Sequence, residues 1–167
     1  AVDFKQQCES ELQQLLTDLN EVDEEVRAAG NPEAQSLVDL ARKAHGEAGS
    51  VCNRATSSLP AVAAFRMMLR MGHQFLLQAE SLSQDGGAAS IARSAVQQRL
   101  KELDATLVEV RSNARGDQTG FASILVAQAV TLRDRAQAAY QRDYFVVAME
   151  TSGMALDLLR EALKLGR

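Results

Sequence analysis

The 167-residue chain has no Trp, two Cys, two Pro, two His and only 4% aromatic residues. Each scarcity excludes something. Two cysteines cannot support a disulfide-dense miniature fold, nor a four-cysteine zinc site. Two prolines exclude a Pro-rich linker architecture. No run reaches the ~18 uninterrupted apolar residues that a membrane-spanning helix needs, so the chain is not expected to insert into a membrane by itself. A net charge of −4 argues against a nucleic-acid binder. Charged residues at 24% beside 46% hydrophobic residues exclude wholesale disorder. The length suits one domain or two small ones.

What is present is helical. Alanine and leucine dominate, β-branched runs are scarce, and apolar residues recur every three or four positions. The expected fold class is all-α, with six antiparallel amphipathic helices in an up-and-down bundle. The first helix opens at Asp3, with Gln6 placed to complete a capping box. It carries Phe4, Cys8, Leu12, Leu15, Leu19, Val22 and Val26 on one stripe. Gly30-Asn31-Pro32 closes it and starts the second, which runs to about Thr56 through Leu37, Ala41, Ala44, Ala48, Val51/Cys52 and Ala55. After a turn at Ser57–Pro60, the third runs to about Leu82 through Val62, Phe65, Met68/Leu69, Gly72, Phe75/Leu76 and Ala79. Ser83–Gly87 is the clearest break. The fourth carries Ala92, Val96, Leu100, Leu103, Leu107 and Val110 and ends at Arg115-Gly116-Asp117. The fifth carries Phe121, Leu125, Gln128, Leu132, Ala136 and Ala139. Asp143 is the expected N-cap of the sixth, whose stripe is Val147, Thr151, Met154, Leu158, Ala162 and Leu165.

The halves resemble each other. Ser10–Arg27 laid over Ser94–Arg111 gives eight identities in eighteen positions, at an offset of 84. Gln13-Gln14 over Gln97-Gln98 and Val26-Arg27 over Val110-Arg111 are less readily explained by composition than shared leucines. The third and sixth helices match at an offset of 83, including Met71/Met154 and Leu76/Leu159, while the second and fifth align poorly. The expectation is a duplicated three-helix unit, residues 1–83 and 84–167, as two units or one merged six-helix domain. Residues 1–83 carry a net charge of −5 and residues 84–167 a net +1. Much of the difference is Glu21, Asp23, Glu24 and Glu25, read as a solvated helix face.

A short turn makes neighbouring helices antiparallel, so residues equidistant from it meet. Cys8 and Cys52 are equidistant from the turn near Gly30 and fall on inward stripes. They form either a disulfide closing a loop of roughly 45 residues or two buried thiols in one layer. The chain starts at Ala1, as it would after loss of Met, after signal cleavage or as an excised domain. A bridge implies an oxidising, periplasmic or exported location rather than a cytoplasmic one.

His45 and His73 are equidistant from the turn near Leu59, with Met67, Met68 and Met71 beside them. A metal or haem site through His45, His73 and Met71 is one reading. Against it stand Arg66 and Arg70, the absence of any Glu-x-x-His pair or C-x-x-C-H sequence, and the usual role of Met as core filler. No phosphate-loop, dinucleotide, nucleophile-elbow or H-E-x-x-H motif occurs. The sequence therefore points to a non-enzymatic helical module that binds protein, without a cofactor, with a homodimer as one form of that binding. A second reading is the ligand-sensing bundle of a membrane receptor, with Arg66, Arg70, Arg133 and Arg135 meeting an anionic ligand.

Overall fold

The computed structural model describes residues 3–54, 58–84, 91–113 and 120–165. They are all-α. The helices are α1 (Phe4–Ala29), α2 (Pro32–Arg54), α3 (Leu59–Gln84), α4 (Arg93–Asn113), α5 (Phe121–Gln141) and α6 (Phe145–Leu165), with no strand among the described residues. None of these helices is long and apolar enough to cross a membrane. Contacts divide the chain into two compact units, Ala1–Ala89 and Ser90–Arg167.

In the first unit the α1–α2 corner follows from three consecutive residues. Gly30 adopts a left-handed conformation (φ 69°) and donates its N–H to the Val26 carbonyl. Asn31 Oδ1 then accepts from the Glu33 and Ala34 amides at 3.0 and 3.1 Å, satisfying two of the free donors at the start of α2. Pro32 takes the first helical position, where its missing N–H costs nothing. Asp3 caps α1 by accepting from the Lys5 amide, and Ser58 caps α3 by accepting from Ala61.

Side-chain pairs give the helix directions. Between α1 and α2, Cys8 meets Cys52, Leu12 meets His45, and Asp23 meets Gln35, so the two helices run in opposite directions. Between α1 and α3, Phe4 meets Phe65 edge-on at 5.8 Å and Leu15 meets Gly72, so these run the same way. The core is Cys8, Leu15, Leu19, Val22 and Val26 of α1, with nine residues of α2 and eleven of α3. Ala34, Val38 and Leu40 join the expected stripe of α2, and Ala61, Ala64, Met67 and Met71 that of α3. Val62 and Leu69, expected inside, are only half-buried because α3 turns them to the edge of its packed face.

The second unit repeats this order of directions. Arg93 meets Asp143, Gln97 meets Tyr140, and Asp104 meets Arg133, stepping in opposite senses along α4 and α5. Arg99 approaches Gly153 and Glu102 pairs with Arg160, so α4 and α6 run together. Helix α6 is the most deeply buried. Thr151 and Ser152 are wholly enclosed, and each returns its hydroxyl hydrogen to a carbonyl four residues back, Val147 and Ala148. Their polarity therefore costs little.

Two expectations at the margins of this unit need correction. Ala92 is exposed and precedes α4, because the helix begins only at Arg93. Asp143 does not cap α6. It ends α5 in the left-handed region (φ 62°), with its amide bonded to the Tyr140 carbonyl and the Tyr144 amide to the Ala139 carbonyl. That is a Schellman closure, with Asp in the place glycine usually holds. The Ala55–Thr56 end of α2 and the breaks at residues 85–87 and 115–117 lie outside the described residues.

Candidate interaction surface

Cys8 and Cys52 are 0% and 1% exposed, their Cα atoms are 6.1 Å apart, and their sulfurs are at disulfide distance. The pair closes the end of the α1–α2 hairpin remote from Gly30. The Lys5 carbonyl lies 3.5 Å from the Cys8 sulfur and 4.0 Å from the Cys52 sulfur. It can accept an S–H hydrogen bond only when the pair is reduced.

The histidines are placed differently. His45 is half-buried, and its Nε2 lies 3.1 Å from the Leu12 carbonyl. A carbonyl only accepts, so Nε2 is the donor in this contact. His73 is half-buried on α3. Met67, Met68 and Met71 are all core residues, and Arg70 donates to the Met67 sulfur at 3.1 Å. Among the described residues no group of three or more His, Cys, Asp or Glu side chains is arranged to hold a metal ion.

The four arginines of the anion-binding reading fall in different units, Arg66 and Arg70 in the first and Arg133 and Arg135 in the second. Asp104 grips Arg133 with both carboxylate oxygens, at 2.6 and 3.2 Å. This hydrogen bond and charge pair raise the Arg133 pKa above its ordinary value. Arg66, Arg70 and Arg135 are exposed.

The acidic run of α1 also divides. Glu21, Glu24 and Glu25 are exposed, but the Asp23 side chain is only 14% exposed. Asp23 accepts from Gln35 and Arg27 and pairs with Arg42 of α2 at 3.5 Å. Burial pushes its carboxyl upward, yet the hydrogen bonds from Gln35 and Arg27 and the charges of Arg27 and Arg42 together hold its pKa below the ordinary value. It is a fastener between α1 and α2 rather than part of a solvated face.

The outward face of α3 carries Arg66 and Arg70 of the anion-binding reading together with two leucines that reading does not include. Leu59 is 84% exposed and Leu77 63%. They are 18 residues apart, which is about five helical turns, so both side chains leave the helix at the same angle about 27 Å apart. Arg66, Arg70 and His73 lie between them within a narrow arc, and half-buried Val62 and Leu69 form one border. From Leu59 to Ala79 the helix contains no Asp or Glu. The 18-residue spacing of the two leucines was readable in the sequence, but an inward stripe on the same helix masked it. Set against known protein families, curated proteins and solved structures, the chain matches none.

Proposed function

We propose that the protein is a non-enzymatic helical module that binds another protein through the outward face of α3. The observation that carries this reading is the exposure of Leu59 and Leu77 in one line on a helix whose opposite face is core. The two leucines mark the ends of a line about 27 Å long on an ordered helix, a span that suits a partner helix laid along it. Arginines among them fit the usual make-up of interface centres, where Arg is enriched and Lys depleted. The Cys8–Cys52 pair suits an oxidising location, periplasmic or exported, since a bridge persists there.

A duplicated origin of the two units belongs to the same proposal. At the offset of 83, eight buried positions of α3 fall on buried positions of α6, from Ala64 over Val147 to Ala79 over Ala162. Both units also follow the same order of helix directions.

The test is a photo-crosslinking residue at Leu77, compared with one at Val108, which is 66% exposed on α4. In cells that make the protein, a discrete protein adduct at position 77 and none at 108 is expected. Absence of an adduct at 77, or equal adducts at both sites, refutes the reading.

A further inference from the structure

We infer that the partner meeting α3 presents an acidic amphipathic helix, with carboxylates at its centre and apolar side chains toward its ends; this rests on the docking role proposed above. Charge gives the first argument. The chain is acidic overall, yet α3 from Leu59 to Ala79 carries Arg66 and Arg70 and no Asp or Glu. Arg66 has no ion pair among the described residues, and Arg70 reaches only the Met67 sulfur. Two guanidinium groups one turn apart are thus left uncompensated in the middle of an apolar line. Arginine recognises carboxylates through paired hydrogen bonds, and Glu residues four apart on a helix repeat the same spacing.

Shape gives the second argument. The two exposed leucines are about 27 Å apart, which calls for an occupant about five turns long. An anionic membrane fits less well, because lipid recognition usually takes clusters of four or more basic residues beside a broad apolar face. A second copy of this chain also fits less well. Its α1 offers Glu21, Glu24 and Glu25 but exposes no large apolar side chain, and its α4 offers Glu102 and Glu109 but exposes Val108 alone, one apolar contact where Leu59 and Leu77 call for two.

The experiment uses the full chain and three probes. One is a labelled 20-residue helical peptide with two central Glu four residues apart and Leu at each end. The second replaces both Glu with Lys, and the third is a phosphatidylglycerol vesicle. The acidic peptide is expected to bind saturably and more weakly as salt rises. Its affinity falls about tenfold or more with Arg66→Glu plus Arg70→Glu, and clearly with Leu77→Ser. Arg135→Glu, an exposed change in the other unit, leaves it unaltered, and circular dichroism confirms that each variant is folded. Equal binding of the two peptides, no binding of the acidic one, or wild-type affinity in the double arginine variant overturns the inference. So does vesicle co-sedimentation lost with the double variant, or a dimer that the double variant abolishes. If the peptide arm fails while the Leu77 crosslink to a protein persists, only the chemistry of the partner is wrong. If the crosslink is absent too, the docking role itself falls.

Discussion

Leu15 occupies the space into which a side chain at Gly72 would grow. A Cβ placed there would meet the Leu15 Cδ2 at 2.8 Å, and Leu15 is wholly buried. The contact brings α1 and α3 together at mid-length.

Gly72→Ala sets a helix-propensity gain of about 1 kcal/mol against this crowding, and should be near neutral. Gly72→Leu should destabilise by about 1–3 kcal/mol, because a full side chain overfills a packed seam. Leu15→Ala in the same chain should recover part of that loss, although alone it costs about 2–5 kcal/mol. Denaturant unfolding of the four variants measures the coupling.

Cys8→Ser with Cys52→Ser should lower stability by about 2–4 kcal/mol under oxidising conditions. The same measurement in reductant should show little difference from wild type. Thiol titration of freshly isolated protein in denaturant should find no free thiol. Two free thiols would show that the pair is merely a buried contact.

Asp23 gives a pH dependence of definite sign. Its folded pKa lies below the ordinary 3.8. The stabilisation is therefore complete above the unfolded value and is lost as pH falls through the lower folded one. Asp23→Asn should cost about 1 kcal/mol at neutral pH. It should also flatten the acid limb of the stability curve below about pH 5. Thermal melts of both proteins across that range check it.

Asp143 carries a positive φ and an exposed ion pair with Arg93. Arg93 also lies over the Tyr140 and Phe145 rings, at 5.3 and 5.1 Å. Asp143→Gly should stay within about 0.5 kcal/mol of wild type, as relief of the backbone offsets the weak pair. Asp143→Val should destabilise by about 1–2 kcal/mol, because a β-branched side chain resists this conformation.

Much of the fold was legible in the residues. The apolar spacing of α1 places Cys8, Leu15, Leu19, Val22 and Val26 in the core, and Gly30-Asn31-Pro32 marks its corner by local backbone chemistry alone. Equidistance from that corner pairs Cys8 with Cys52. At Asp143 the residue type suits both a helix start and a left-handed position, and only the hydrogen bonds to the Tyr140 and Ala139 carbonyls separate the two. The role of Asp23 is hidden from local sequence because its partners Gln35 and Arg42 are on another helix. Leu77 shares a line with Leu59 only at a spacing of 18 residues, and the inward stripe of the same helix dominates the shorter periodicity. The Leu15–Gly72 contact was invisible for a related reason, since it depends on the register between helices.

The central claim is that α3 presents a docking face, and a crosslinking scan along that helix tests it most directly. With the photoreactive residue placed in turn at Leu59, Arg66, Arg70 and Leu77, the account predicts one and the same protein adduct from all four positions, and none from Val108 on α4. A scan with no adduct at these positions, or with equal adducts at Val108, would contradict it.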